Sequence, residues 1–306
     1  MYFPYLRGRQ YELLALKELV QKNLLGNSII PVVEPVKFSP TLKATVEEYG
    51  KVRHPLAVVF NPKVVALSDD DLKRLLSFIP NSSVVPSVIS DSTLDTAVSL
   101  LKTSGINKDQ ICVVLTEIDG IKHFKEEYAL ESPLFTLIPD KRDFRRLENV
   151  GHKVLFEDKF IKQLKNSDYL KNEDEVFSDD HLFYKEEGYF GFGDYSTIGD
   201  AYEESGFAPR AVAVHLVYFD SSDALRVHHF VSDTNYGIED VAGKYFEAIV
   251  KLQQFAPILE EKNKTNALVT LLSHAKAGYY PGLPTLKKLS IMHHIELMGR
   301  FLDGRV

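Results

Sequence analysis

Short apolar runs recur along the chain, and most of them end at or next to a polar residue. Their starts are mostly about 20–30 residues apart, which leaves room for one helix between neighbours. Strands that alternate with helices in this way predict βαβ units and a parallel sheet. The runs are Ile29–Glu34, Leu56–Asn61, Val84–Ser90, Ile111–Glu117, Leu134–Ile138, Lys153–Glu157, Tyr189–Asp194 and Ala211–Phe219. Eight such units are the number that a closed (β/α)8 barrel needs.

Helical patterns lie between these runs. In Arg9–Asn23, apolar residues recur at the spacing of one helix face. This helix precedes the first apolar run, so we expect it to be an N-terminal capping helix at one end of the barrel. The other predicted helices are Ser39–Tyr49, Ser68–Phe78, Asp91–Leu101, Asp119–Tyr128, Arg142–Glu148, Ile161–Leu170, Ile238–Phe255, Thr265–Ala277 and Pro284–Leu302. The last two exceed the barrel plan and predict extra C-terminal helices.

These patterns predict an α/β fold, a TIM-like (β/α)8 barrel that forms a single domain over residues 1–306. Residues 257–306 would be an appended helical segment. Phe160–Glu187 interrupts the alternation of apolar runs and helices, because it contains a polar, acidic stretch. Such a long loop is either a lid or binding loop, or an ordinary surface loop. Leu225–Val231 alternates like a strand and would form a hairpin with the eighth run.

Composition limits the compartment and the kinds of partner that we expect for the protein. The single cysteine, Cys112, excludes an intramolecular disulfide and fits a reducing, cytoplasmic compartment. No apolar run approaches the roughly 18 residues of a membrane span, and the opening shows no signal-peptide core. A net charge of −7 disfavours broad binding to nucleic acid or to anionic membranes. The densest positive stretch is Lys141–Arg146, whose Arg142 could hold an anion at the barrel mouth.

Carboxylates follow several of the predicted strands. Barrel enzymes place their chemistry at the C-terminal ends of the strands. Glu34, Glu117, Glu157 (or its neighbour Asp158) and Asp194 occupy such ends. Together they could hold a divalent cation, or two of them could act as acid and base. Acidic residues at strand ends also cap the following helices, which is the competing interpretation.

Strand alternation predicts which other polar groups face the barrel interior. It places Asn61 beside Ala57 and Val59, and His215 beside Ala211 and Ala213. His215 could carry a proton or bind a ligand, or it could be a core histidine bonded to a neighbouring polar group.

The opening YFPYLRGRQ carries two arginines on either side of a glycine. Arg7, Arg9 and Gln10 could bind an anion or a partner. A segment that leads into the first strand lies at the bottom of a barrel, away from the chemistry, unless it wraps to the top.

Several stretches resemble a known family. MYFPYLRGRQYELLALKEL followed by IIPVVEPV, with GFGDYSTIG and AVAVHLVY…HHFVSD further on, is similar to the "beta protein" family of bacteria and phages. More narrowly, the chain resembles a bacterial branch of that family with nearly the same opening. The resemblance implies no catalytic residues, because no activity is established for that family. Its members are sometimes encoded beside restriction-nuclease-like proteins, which implies a mobile-element or antiviral context.

Two functional hypotheses follow. The first is a cytoplasmic barrel enzyme, a metal-assisted hydrolase or phosphodiesterase-like protein that acts on a small or phosphorylated ligand at the mouth. Its candidate residues are Glu34, Asn61, Glu117, Glu157, Asp194 and His215. The second is a non-catalytic component of a phage-related or antiviral system. It would contact a protein partner through Arg7–Gln10 and the long loop. No nucleophile-elbow or phosphate-loop motif is present to decide between them.

Overall fold

The computed structural model describes residues 1–202 and 209–305. The single-domain prediction over residues 1–306 stays a prediction. The strands are β1 (Tyr5–Leu6), β2 (Val32–Val33), β3 (Leu56–Val59), β4 (Val84–Ile89), β5 (Cys112–Val114), β6 (Phe135–Ile138), β7 (His152–Phe156), β8 (Asp174–Ser178), β9 (Gly191–Gly193), β10 (Ala213–Phe219) and β11 (Leu225–Val231). The helices are α1 (Gln10–Gln21), α2 (Pro40–Val52), α3 (Asp69–Leu76), α4 (Leu94–Thr103), α5 (Gly120–Glu127), α6 (Arg142–Arg145), α7 (Asp180–Phe183), α8 (Val241–Phe255), α9 (Asn266–Ala277) and α10 (Leu283–Leu302).

Eight parallel strands form a nearly closed barrel in the order β1-β2-β3-β4-β5-β6-β7-β9. The last strand returns to the beginning of the chain. The amide of Phe3 donates to the carbonyl oxygen of Phe192, and that of Tyr5 to the carbonyl oxygen of Asp194, each at 2.8 Å. The predicted α/β barrel with additional C-terminal helices is therefore confirmed.

The first barrel strand is the N-terminal segment itself. Because β1 precedes α1, this helix connects β1 to β2 on the outside of the barrel, and the expectation of a capping helix was wrong. The segment alternates as a strand should: Phe3 and Tyr5 pack in the barrel lumen, whereas Tyr2 and Leu6 pack in the outer core. Its shortness hid this pattern in the sequence.

The eighth apolar run lies outside the barrel. It forms β10, which pairs with β11 as an antiparallel hairpin, so the hairpin prediction is confirmed and the barrel assignment of this run is wrong. The acidic stretch contributes an unexpected third strand, β8, on the other side of β11. Asp174 on β8 accepts hydrogen bonds from Arg226 at 2.6 Å and from Tyr218 at 2.7 Å. These cross-strand contacts stabilise a strand that hydrophobicity alone does not predict.

The hydrophobic core has an inner and an outer part. The inner part fills the lumen and includes Ile30, Val32, Ala57 and Val59, as strand alternation predicts. The outer part lies between the strands and the helices. Within it, α10 is buried along Leu289–Gly299 and contacts α1, α9 and β10. The helix therefore forms the wall between the barrel and the small sheet.

Local sequence signals fix several helix boundaries. Ser39 accepts a hydrogen bond from the amide of Leu42, and Ser68 from that of Asp71, each at 3.1 Å. The expected helix over Ile161–Leu170 is absent, and a short 3-10 turn at Asn166–Lys171 takes its place. Among the described helices, none is both long and apolar enough to cross a membrane.

Glycine at position 193 is required by barrel closure. A Cβ atom there would overlap the backbone carbonyl oxygen of Phe3 and press against the ring of Phe156. β9 and the N-terminal segment therefore approach each other more closely at this point than a side chain would allow.

Candidate functional site

Arg7 lies at the mouth of the barrel. It follows β1, so it leaves the C-terminal end of a strand, and the expectation that this segment lies at the bottom was wrong. Its guanidinium pairs with Glu34 and donates to the carbonyl oxygen of Asp200 at 2.6 Å. It lies over the rings of Tyr5 and Tyr195, 5.2 and 5.0 Å from their centroids.

Glu34 is fully buried and holds this part of the mouth together. One carboxylate oxygen accepts from Arg7 and from the Tyr5 hydroxyl, at 2.9 Å for the latter. The other accepts from the amides of Lys63 and Val64 at 2.7 and 3.1 Å. Because its oxygens are occupied by the protein, Glu34 positions Arg7 and the loop after β3.

The ion pair also controls the charge of Arg7. Burial by itself would lower the pKa of Arg7, but the adjacent carboxylate of Glu34 more than offsets this, and the pKa is raised. The arginine is therefore a permanent positive charge at the mouth.

Two arginines have unused hydrogen-bond donors at this position. Within residues 1–202 and 209–305, Nε of Arg7 and Nη2 of Arg9 are buried without a hydrogen-bond partner. Both side chains line one cavity of about 90 Å3, which we call the arginine cavity. Lys287 lines it too and pairs there with Glu12 at 2.9 Å. Buried donors without partners are costly, so this cavity is suited to water or to the oxygens of an anion.

A second cavity at the mouth is rich in carboxylates. It has a volume of about 340 Å3, and we call it the acidic cavity. Its lining residues are Thr116, Glu117, Pro139, Lys141, Phe156, Glu157, Asp158, Tyr195 and Asp200. Of the predicted rim residues, the structure therefore brings Glu117 and Glu157 together, with Asp158 beside them.

Asp158 lines the acidic cavity and lies beside the arginine cavity. Its carboxylate accepts from the amides of Phe160 at 3.0 Å and Asp200 at 2.8 Å. Partial desolvation raises the pKa of Asp158, and the nearby negative charge and side-chain hydrogen bond of Asp200 act in the same direction. A Cβ atom on Gly199, which lines the arginine cavity, would lie 3.3 Å from Oδ2 of Asp158. The carboxyl group thus lines the acidic cavity and contacts a wall residue of the arginine cavity.

Other rim groups are engaged in structural hydrogen bonds. Glu157 accepts from the amide of Asp140 and from Lys159, each at 3.1 Å. The side-chain amide of Asn61 exchanges two hydrogen bonds of 2.8 Å with the backbone of Ile89. Asn61 therefore holds the end of β4 with the same atoms that would orient a substrate.

Asp194 does not face the mouth. Gly193 and Tyr195 approach the lumen, so alternation turns Asp194 outward against α10. One of its oxygens accepts from the Tyr2 hydroxyl at 2.8 Å and from the amide of Ser196 at 2.6 Å. Burial raises the pKa of Asp194 to about 6. The structure therefore separates Asp194 from the other rim carboxylates.

His215 lies outside the barrel, because its strand belongs to the small sheet. Its predicted place in the lumen was wrong. Its Nδ1 lies 2.7 Å from Nδ1 of His229, so a histidine bonded to a neighbouring polar group, the competing interpretation, describes its surroundings.

The remaining candidates are dispersed. Gln10 is exposed and lines, with Arg9, a wider cavity of about 710 Å3 beside the mouth. Arg142 is exposed at the start of α6, where its neighbour Lys141 reaches the acidic cavity. Arg7 and Arg9 are thus the pair that the structure brings together.

The donors at the mouth do not form a metal site. In the part of the chain that the structure describes, no three histidine, cysteine or carboxylate side chains gather closely enough to hold a metal ion. We therefore derive no chemical step through a metal.

Comparison of the chain with protein-family models, with curated proteins and with solved structures found no match.

The sequence did not single out Tyr195 or Asp200, and it named Asp158 only as a neighbour of Glu157. A signal for Tyr195 was present, because it follows Gly191 and Gly193 at every second position and so shares their face. Asp200 lies beyond the last barrel strand, where no periodic pattern predicts the path of the loop.

Proposed function

We propose that the protein is a hydrolase that binds a small phosphate ester at the barrel mouth. The observation that supports this most directly is the closeness of two features on either side of Asp158. On one side, Arg7 and Arg9, each with a buried nitrogen that has no hydrogen-bond partner, line a small cavity. On the other side, a pair of carboxyl groups, one of them with a raised pKa, lines a larger cavity.

The anion would bind to the arginines. Guanidinium groups recognise phosphate oxygens through directed, charge-assisted hydrogen bonds. Arg7 is preorganised for this task, since Glu34 and two tyrosine rings fix its position before any ligand arrives. The volume of about 90 Å3 corresponds to roughly three water molecules, which a phosphoryl group would displace.

The carboxyl pair would move the protons. Asp158, whose raised pKa favours the protonated form, gives its proton to the leaving oxygen as the P–O ester bond breaks. Asp200 takes a proton from the attacking water as the new P–O bond forms. Two neighbouring carboxyl groups with different environments are the usual way in which a protein supplies both an acid and a base.

The test is hydrolysis of bis(p-nitrophenyl) phosphate and p-nitrophenyl phosphate by the purified protein. We expect Asp158→Asn to lower kcat at least ~100-fold with little change in KM, since it removes a general acid and no binding charge. Arg9→Gln should raise KM at least ~10-fold. Arg146→Gln, at an exposed arginine that ends α6, is the matched control and should change neither value.

Phosphate binding without turnover, unchanged by Asp158→Asn, would refute the hydrolase. It would favour the alternative of a non-catalytic binding component with a protein partner. If the protein neither binds phosphate nor hydrolyses the esters, the proposed site is refuted as well. Membership of the "beta protein" family and an antiviral context stay predictions, which a search for a partner in the source cell would test.

A further inference from the structure

A fourth cavity, which the proposed hydrolysis does not use, lies beside the barrel. It has a volume of about 340 Å3, within the range of small-molecule sites. We call it the side cavity. Its wall is formed by the Phe160–Tyr169 loop, by β10 with His215 and by α10 with Leu286 and Ser290.

A chain of three polar side chains ends at this cavity. Glu175 accepts from Nε2 of His229 at 3.3 Å, and Nδ1 of His229 lies 2.7 Å from Nδ1 of His215. Burial, together with the mutual repulsion of the two imidazoles, lowers the pKa of His215 to about 3, and burial lowers that of His229 as well. Both imidazoles are therefore neutral at neutral pH.

Neutrality fixes the tautomers. The carboxylate of Glu175 can only accept, so His229 carries its proton on Nε2. Its Nδ1 must then accept from Nδ1–H of His215. His215 is left with an unprotonated Nε2, and this nitrogen is a hydrogen-bond acceptor on a residue that lines the cavity.

The surroundings of His215 favour a flat ligand. The rings of Tyr169 and Phe160 lie 4.6 and 5.0 Å from the imidazole, measured between centroids. Leu286 and Val212 add apolar surface to the wall. An aromatic ring would bury its faces against these groups.

The charged residues at the far end are lysines. Among the residues that the structure describes, no aspartate or glutamate lines the side cavity, whereas Lys162 and Lys287 do, the latter paired with Glu12 of the arginine cavity. The same two lysines also line the arginine cavity, so the two cavities adjoin there. A ligand with a negative group would direct it toward this end.

We propose that the side cavity binds a small aromatic hydroxy acid. Its hydroxyl group would donate to Nε2 of His215, its ring would lie among Phe160, Tyr169 and Leu286, and its carboxylate would face the lysines. This site is separate from the proposed hydrolase site, and neither proposal depends on the other.

Isothermal titration with 4-hydroxybenzoate, 4-methoxybenzoate and benzoate tests the proposal. Removing or methylating the hydroxyl group should weaken binding about fivefold to tenfold, because one hydrogen bond to a buried acceptor is lost. Ser290→Leu fills the cavity from α10 and should abolish binding. Ser273→Leu, on the exposed face of α9, is the matched control and should leave the affinity unchanged. Thermal unfolding of each variant confirms that it is folded.

Three outcomes would overturn the proposal: no binding of 4-hydroxybenzoate, equal affinity for all three compounds, or unaltered binding by Ser290→Leu. Loss of binding in Arg9→Gln but not in Ser290→Leu would place the compound in the arginine cavity, and that would also refute it. Failure of phosphate ester hydrolysis has no bearing on these results, so the two proposals are tested separately.

Discussion

Replacement of Glu34 by glutamine tests the interpretation of the barrel mouth. The change keeps the shape of the side chain but removes its negative charge. Arg7, with only 13% of its side chain exposed, then lacks its counter-ion. The glutamine NH2 also has to face either the amides of Lys63 and Val64 or the donors on Tyr5 and Arg7, so at least one donor meets another donor.

The expected cost is large. Removing one partner of a buried ion pair costs about 3–5 kcal/mol, because the other charge stays buried and uncompensated. Arg7 keeps its bond to the carbonyl of Asp200 and its two aromatic contacts, which favours the lower end, about 3 kcal/mol. Urea unfolding followed by circular dichroism measures this loss in the free energy of unfolding.

Two controls make the result decisive. Glu47→Gln removes one partner of an exposed pair, Lys43–Glu47 at 3.8 Å, and should change stability by less than about 0.5 kcal/mol. Arg7→Met combined with Glu34→Gln should cost less than the sum of the single changes. A loss below about 1 kcal/mol for Glu34→Gln, or strict additivity, would refute the reasoning.

Three further predictions concern other buried groups. Because burial raises the pKa of Asp194 to about 6, its ionisation costs stability as pH rises from 4 to 7; Asp194→Asn should gain roughly 2–3 kcal/mol on the wild type over that interval and little more above it, by urea unfolding at each pH. Burial lowers the pKa of His293 to about 4 and of His294 to about 3, so acidification from pH 6.5 to 4.5 should lower the wild-type midpoint, and an unchanged midpoint would contradict this. Gly193→Ala should destabilise the barrel more than Gly105→Ala, because the new methyl group overlaps the carbonyl oxygen of Phe3 at position 193 but meets only the strain of a φ of +86° in open space at position 105; equal thermal midpoints would contradict this.

The barrel could be predicted because its signal is repeated. A run of buried apolar residues such as Leu56–Val59 indicates a strand on its own, and the spacing of such runs predicts the architecture. The barrel uses β1 as a strand in place of the predicted eighth run, which forms β10 of the small sheet, and the length of the two segments explains this error. Tyr5–Leu6 is too short to show a period, whereas Ala213–Phe219 has the alternation of a strand without information on its partner.

The site could be predicted only in part. Strand alternation placed Glu34 at the mouth, but it could not show that the protein already occupies both carboxylate oxygens. It turned Asp194 toward the mouth because the register of β9 was unknown, and a shift of one residue moves a side chain to the other face. The pairing of Arg7 with Tyr195 joins the two ends of the barrel, a contact that depends on closure rather than on local sequence.

A crystal structure determined in the presence of phosphate would test the central claim most directly. We predict a phosphate ion in the arginine cavity, with its oxygens accepting from Nε of Arg7 and Nη2 of Arg9 and with Asp158 alongside. Water molecules alone on those two nitrogens at saturating phosphate, or a phosphate bound instead at Arg142, would contradict the account.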